Sequence, residues 1–80
     1  MNENYIANDI QLWNIERLGP ASRNARTHSK KQIQEIAGSI AAYGFMNPLV
    51  VDADGTIVAG NARYLAARQL GLDRVPVIVA

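Results

Sequence analysis

The 80-residue sequence contains no cysteine and a single histidine, His28. The lack of cysteine excludes disulfides, thiolate catalysis and cysteine-based zinc sites. One histidine argues against a metal cage built from protein ligands alone. No apolar run approaches the ~20 residues that span a bilayer, and the first residues resemble no signal peptide. These absences predict a cytoplasmic protein with no membrane partner.

Charge is nearly balanced, with a formal net charge of +1. Acids are missing, however, between residues 17 and 31, where the chain carries Arg17, Arg23, Arg26, His28, Lys30 and Lys31. An acid-free basic stretch of this kind can form an anion site. A solvated loop that leads into a helix is the alternative interpretation.

Hydrophobic residues make up 49% of the chain, which predicts one packed domain over residues 10–80 after a flexible tail over residues 1–9. The apolar ending suggests a module excised from a longer protein. Ile10 is expected to begin a strand, and the Gly19-Pro20 pair to break regular structure. Trp13 and Tyr43 are expected to pack in the core rather than to stack on bases.

Two helices and a hairpin follow from local signals. Ser29 and Gln32 form a capping box, which predicts a helix over 30–43 that ends at Gly44. Residues 49–52 and 56–59 form a predicted hairpin, closed by a two-residue Asp54-Gly55 turn.

A second helix is predicted over roughly 62–70, with Asn61 as its N-cap and Gly71 at its end. In the last strand, over 75–79, Pro76 suits the first residue or an edge position. The sequence therefore predicts an α+β fold, a small mixed sheet with two principal helices.

The turn Gly60-Asn61-Ala62-Arg63 is the strongest candidate site. A helix start carries unpaired N–H groups, Gly60 allows close approach, and Arg63 can offer two donors to an anion. Such a site would hold nucleotide phosphates or a nucleic-acid backbone. Because the backbone defines this corner, the Arg63 side chain is expected to be dispensable for folding. A plain turn with a solvated Arg63 fits the same spacing.

The loop before the first helix is the second candidate, since Asn24, Arg26 and His28 are all groups that contact phosphates. A polar loop with exposed side chains is the alternative. The three aspartates Asp52, Asp54 and Asp73 do not suggest a metal site, and no residue is assigned a catalytic role.

Read together, four segments of the chain resemble the amino-terminal ParBc domain of the ParB and sulfiredoxin superfamily. They are Asn24-Ala25-Arg26, the helix end Ser39-Ile40 to Tyr43-Gly44-Phe45, Asn47-Pro48-Leu49-Val50-Val51, and Gly60-Asn61-Ala62-Arg63-Tyr64-Leu65 followed by Val75-Pro76-Val77-Ile78. The chain is similar in particular to the ParB-like module that precedes phage-type adenine DNA methyltransferases in bacteria and phages.

The resemblance implies a site, a ligand and partners. The ParB motif Gly-Glu-Arg-Arg holds nucleotide phosphates, and Gly60 and Arg63 match its first and last positions. Asn61 stands where sulfiredoxins have their catalytic cysteine, which excludes sulfiredoxin chemistry. Arg26 matches an arginine of the family's phosphate-site loop. The implied cofactor is a nucleoside triphosphate of the CTP kind with magnesium. The implied partners are DNA, a carboxy-terminal domain such as a methyltransferase, and a second copy of the chain.

The favoured function is therefore a DNA-linked binding module, itself non-catalytic or weakly catalytic. A ParB-like nuclease that cuts phosphodiesters is the alternative from the class of enzymes. A purely structural dimerisation domain is the third interpretation.

Overall fold

The computed structural model describes residues 9–20 and 29–80. The strands are β1 Gln11–Asn14, β2 Gly19–Pro20, β3 Leu49–Val51, β4 Thr56–Ala59 and β5 Arg74–Val79; the helices are α1 Lys30–Tyr43 and α2 Asn61–Gln69, and a 3₁₀ turn covers Ile15–Arg17. The predicted site residues Asn24, Arg26 and His28 lie outside the described residues.

The five strands form one mixed sheet in the order β1-β5-β3-β4-β2. β5 runs antiparallel to β1 and parallel to β3, and β4 runs antiparallel to β3 and parallel to β2. The helix α2 connects β4 to β5. This helical connection allows β5 to lie parallel to β3, although β3 and β4 themselves form an antiparallel hairpin. The predicted α+β class, with a small mixed sheet and two principal helices, is confirmed.

The core lies between one face of the sheet and α2. Its largest fully buried side chains come from the three central strands and are Leu49, Val51, Ile57, Val75 and Val77. Their alternation along each strand is the pattern of a sheet with one covered face. From α2, Tyr64 and Ala67 pack onto this face, and Trp13 of β1 closes its edge. Trp13 is 7% exposed, as expected for a core residue.

The helix α1 begins and ends where the sequence predicts. The Ser29 hydroxyl accepts a hydrogen bond from the Gln32 N–H at 3.1 Å, which is the predicted capping contact. The Gly44 N–H closes the last turn on the Ile40 carbonyl at 2.8 Å. The helix α1 packs mainly against α2. Its apolar side chains are therefore less covered than those of a helix at the centre of a domain, and Ile36 is half-buried.

The end of α2 also matches its prediction. The Gly71 N–H bonds to the Arg68 carbonyl at 3.0 Å, and the Leu72 N–H bonds to the Ala67 carbonyl at 3.1 Å. These two bonds form a Schellman motif, in which glycine adopts the left-handed conformation. Near this end, Arg68 donates to the Tyr64 hydroxyl at 2.6 Å, and this bond is the main cause that raises the pKa of Arg68.

The predicted two-residue turn in the β3–β4 hairpin is wrong in its length. The Asp52 N–H bonds to the Thr56 carbonyl, so three residues form the loop, including Asp54 and Gly55. Gly55 has a φ of 94°, which is the usual arrangement of a three-residue hairpin loop. A side chain on Gly55 would also overlap the Arg17 carbonyl.

Three further predictions are corrected by long-range contacts. The Gly19-Pro20 pair does not interrupt regular structure, because it forms the short strand β2 beside β4. Pro76 lies inside β5, a strand with neighbours on both sides, and it is accommodated because the β3 ladder begins one residue later, at Val77. Tyr43 is 76% exposed, since the last turn of α1 extends past the core.

Candidate phosphate site at the start of α2

The amino terminus of α2 has no side-chain cap. Gly60 is its N-cap residue, with a φ of 105° and a ψ of 25°, and among the described residues this helix start has no side-chain cap hydrogen bond. The prediction that Asn61 is the N-cap is therefore wrong. The left-handed Gly60 turns the chain sharply enough for Asn61 to be helical already. The N–H groups of the first turn are left without intrahelical partners, the arrangement in which helix starts bind anions.

Packing also requires glycine at this position. A Cβ on Gly60 would lie 2.6 Å from Cδ2 of Leu49 and 3.1 Å from Nη2 of Arg63. Leu49 is fully buried, so it has no free space into which to move. Gly60 therefore serves the fold as well as any ligand, and its presence alone does not establish a binding site.

Arg63 is half-buried and folds back toward β3. Its Nη2 donates to the Pro48 carbonyl at 3.4 Å, a contact that links α2 to the residue just before β3. The side chain thus makes a contact within the fold that the sequence did not predict. A fully solvated Arg63, the alternative interpretation, does not describe the half-buried side chain that is observed.

Two buried polar atoms near this turn have no hydrogen-bond partner within the described part of the chain. They are Oδ1 of Asn61 and Nε of Arg63. An unpaired buried polar atom costs roughly 1–3 kcal/mol of folding free energy. Such atoms are rare in native proteins and tend to mark functional positions.

Arg63 also lines a cavity of about 220 Å³ beside the carboxyl end of α1. The walls of the cavity are mostly apolar, with Ile36, Ile40, Phe45 and Met46 among them. An apolar pocket with one fixed cationic group suits a ligand that has an anionic group and a flat or apolar body. The cavity was not predicted from the sequence, because its walls come from α1, residues 44–47 and Arg63 of α2, which are separate in the chain.

The described members of the basic stretch are occupied or exposed. The Arg17 guanidinium stacks over the Trp13 ring at 3.7 Å from the ring centroid. Lys30 and Lys31 are exposed in the first turn of α1. The structure thus assigns Arg17 to a packing contact and brings none of these three side chains into the cavity beside Arg63.

Metal ligands are not clustered in residues 9–20 and 29–80, since no three His, Cys, Asp or Glu side chains there are placed to hold an ion. Across the same residues, no helix has the length and apolar character needed to cross a membrane.

Comparisons with known proteins place this geometry in a family. All 80 residues match the family model of the ParB N-terminal domain. The ParB-like nuclease domain-containing protein YnaK of Escherichia coli (strain K12) is 45% identical over 65 residues, which are 81% of this chain and 75% of the relative. Among solved structures, sulfiredoxin from Arabidopsis thaliana has a TM-score of 0.80 at 24% identity over 91% of this chain and 85% of that chain, a likeness of fold.

A similar solved structure also bears on ligands. The chromosome-partitioning protein ParB from Caulobacter crescentus, complexed with CTP-gamma-S, has a TM-score of 0.80 at 29% identity over 91% of this chain. The same protein has been solved complexed to the centromeric parS site. This chain spans 44% of the Caulobacter chain in the CTP-gamma-S complex, so the activities of the whole partition protein extend beyond the part that is shared.

Proposed function

The chain belongs to the ParB N-terminal domain family, and from this premise we propose that it binds phosphate groups at the start of α2. The ligand would be a nucleoside triphosphate of the CTP kind or the DNA backbone, held by the N–H groups of Asn61, Ala62 and Arg63. Arg26, Asn24 and His28 of the preceding loop are proposed to complete the site.

The observation that carries this proposal is the uncapped first turn of α2. A helix start usually gains about 1 kcal/mol from a side-chain cap, and α2 lacks one while α1 has it. No acidic side chain lies in the first turn of α2, although acids are favoured there by the helix dipole. The first turn of α2 therefore supplies no carboxylate of its own to compete for these N–H groups and for the positive end of the dipole.

The Caulobacter relative supports the choice of ligand, since that ParB has been solved with CTP-gamma-S and with parS. The described residues offer no magnesium cage. Magnesium would therefore accompany the triphosphate, which is how Mg²⁺ is commonly held at nucleotide sites. We extend the proposal to a module in a cytoplasmic bacterial or phage protein for DNA modification or partition, beside a carboxy-terminal domain such as a methyltransferase.

Ala62 offers a sharp test, because it replaces an arginine of the ParB motif and lies in the first turn of α2. Ala62→Arg adds a charge-assisted donor and should tighten binding of CTP or inorganic triphosphate by about tenfold. Ala62→Glu places a carboxylate at the same position and should weaken binding by about tenfold. Titration calorimetry at low ionic strength measures both.

Stability should change in the opposite direction to affinity. Glu at a helix start gains roughly 0.3–1 kcal/mol from the dipole, and Arg loses a similar amount. Gln69→Arg and Gln69→Glu, at the other end of α2, are the matched charge controls and should leave affinity unchanged. Equal affinity in both Ala62 variants would refute phosphate binding at this helix start.

Phosphodiester cleavage is the second candidate function, and similarity to the Escherichia coli relative, which is named a ParB-like nuclease domain-containing protein, favours it. Catalysis by metal would need a set of carboxylate or histidine ligands, and residues 9–20 and 29–80 hold no cluster of three such side chains. Incubation of the 80-residue chain with supercoiled DNA, with and without magnesium, separates the two functions. Nicking that depends on the chain and on magnesium would support the nuclease.

A further inference from the structure

The two buried polar atoms that lack partners within the described residues are of opposite kinds. Nε of Arg63 is a hydrogen-bond donor, whereas Oδ1 of Asn61 is an acceptor. The oxygens of a phosphate group act as acceptors. A phosphate can therefore pair with the guanidinium but not with the amide oxygen, and a ligand that is only an anion leaves Asn61 unsatisfied.

Asn61 lies beside the proposed phosphate position. It is the first residue of α2 and directly follows the Gly60 N-cap. The last torsion of an asparagine side chain is soft, because it joins an sp³ carbon to an sp² carbon and has broad minima. Rotation about this bond can bring Oδ1 to a donor on a ligand that is held by the N–H groups of the first turn.

The fold gives no account of an asparagine at this position. Asparagine favours helix caps and is a poorer helix former than alanine. Here it is already helical, and among the described residues the start of α2 has no side-chain cap hydrogen bond. Asn61 does supply an acceptor without a negative charge, which is the kind of acceptor that a neighbouring phosphate tolerates.

We propose that Oδ1 of Asn61 accepts a hydrogen bond from a sugar hydroxyl of the ligand, so that the site selects a ribonucleotide over the DNA backbone. This inference rests on the phosphate binding proposed above. In a nucleotide the sugar hydroxyls are only a few bonds from the phosphate, so they can reach a residue whose own N–H contacts that phosphate. The internal sugars of DNA have no free hydroxyl, and this is how proteins distinguish DNA from ribonucleotides.

The expected selectivity is moderate. A site that hydrogen-bonds a hydroxyl rejects a ligand without it, because the buried partner is then left unpaired. The Asn61 oxygen is already unpaired among the described residues before any ligand binds. A ligand that lacks the hydroxyl therefore forgoes one favourable hydrogen bond and adds no new cost. One such bond corresponds to a preference of about tenfold.

Titration calorimetry of the 80-residue chain tests the selection with CTP and its dideoxy analogue, which lacks both sugar hydroxyls and keeps the base and the triphosphate. CTP should bind about tenfold more tightly. Asn61→Ala should bring the two affinities within about twofold of each other. Gln69→Ala is the matched control, since it removes an exposed amide from the other end of α2 and should keep the preference.

The outcomes separate this inference from the phosphate site on which it rests. Equal affinities of the unchanged chain for the two nucleotides would overturn the role of Asn61 and leave phosphate binding intact. If neither nucleotide nor inorganic triphosphate bound, the phosphate site itself would be refuted, and the selection with it.

Two further measurements examine the Asn61 oxygen. Asn61→Asp keeps an acceptor, so it should retain the preference although its charge weakens binding of both nucleotides. Loss of the preference in this variant would assign the contact to the amide nitrogen and overturn the proposal. Asn61→Ala should raise the melting temperature of the free chain by roughly 4–8 °C, since it removes an unpaired buried oxygen. A lower melting temperature would show that the oxygen has a partner within the fold and is not kept for a ligand.

Discussion

The two helices of this domain start in opposite ways. α1 begins at Ser29, whose hydroxyl accepts the Gln32 N–H at 3.1 Å and closes the first turn. α2 begins at Gly60, which has no side chain and leaves its first turn open. Because both helices pack against each other in the same small domain, the difference is local. It concerns whether the backbone N–H groups of the first helical turn are capped by a side chain or left open to a ligand.

An open helix start gives up stability that a capped one keeps. A cap contributes about 1 kcal/mol, and two buried polar atoms without described partners, in Asn61 and Arg63, add to the cost at α2. In small domains such a cost is a sizeable part of total stability. A phosphate that accepts from the free N–H groups and from Nε of Arg63 would recover part of this cost, whereas Oδ1 of Asn61 is itself an acceptor and would need a donor. The comparison therefore predicts stabilisation by phosphate at the start of α2 and not at the start of α1.

The largest effect is expected for Gly60→Ala. The left-handed backbone and the contact with Leu49 at 2.6 Å together should cost about 2–4 kcal/mol. For a domain of this size the melting temperature should fall by more than about 10 °C. Thermal unfolding followed by circular dichroism measures the change.

Gly38→Ala is the matched control for that prediction. Gly38 lies in α1, and a Cβ there would meet nothing within 4 Å. Alanine in a helix interior should stabilise the domain by about 0.5–1 kcal/mol relative to glycine. If both glycine variants shifted the melting temperature in the same direction, the special geometry assigned to Gly60 would be wrong.

An intermediate effect is expected for Ser29→Ala, which removes the cap of α1 and makes the two helix starts alike. The loss should be about 1 kcal/mol, or roughly 4–8 °C in melting temperature. Affinity for CTP or triphosphate should not change. The amides that Ser29→Ala frees at the start of α1 have no glycine turn before them, so they should bind phosphate far more weakly than those of α2. Ser29→Asp is the control, since aspartate caps equally well and suits the helix dipole. Phosphate binding gained by Ser29→Ala would show that an open helix start alone suffices.

The parts of the fold that the sequence predicts correctly depend on neighbouring residues. The Ser29 cap, the Gly44 and Gly71 ends and the two hairpin strands all follow from signals within four or five positions. The hairpin loop length and the N-cap of α2 are local errors, and the other errors in the sheet occur where a distant contact decides. Pro20 joins the sheet only because β4 lies beside it, and Pro76 fits inside β5 only because β3 starts one residue later.

The same division applies to the candidate site. The Gly60–Arg63 spacing locates the open helix start, because a glycine turn before a helix is a local feature. The bond from Arg63 to Pro48 spans 15 residues of sequence and cannot be predicted from the motif. Arg63→Ala would therefore change folding and binding together, which makes Ala62 the better position for separating them.

The smallest effect concerns a second amide that a side chain caps, in the hairpin loop. The exposed Asp54 carboxylate accepts the Thr56 N–H at 3.0 Å, and this backbone hydrogen bond is the main cause that lowers the pKa of Asp54. A lowered pKa in the folded state means that the ionised form stabilises the fold. The contribution is present above the pKa of the unfolded chain and is lost as the pH falls through the folded pKa. The Ser29 cap is neutral and should show no such dependence, so the two caps differ in kind.

Asp54→Asn tests this difference because asparagine keeps an acceptor oxygen but cannot titrate. Urea unfolding at a series of acidic pH values should show a shallower decline in stability for Asp54→Asn than for the unchanged chain, since one linked proton is removed. Ser29→Ala, measured in parallel, should lower stability by the same amount at every pH. A carbon-detected titration should place the pKa of Asp54 below that of the same residue in an unfolded hairpin peptide. An unshifted pKa, together with an unchanged acid limb in Asp54→Asn, would show that the loop is held by its backbone bonds, from Asp52 to Thr56 and from Gly55 to Asp52, without help from the carboxylate.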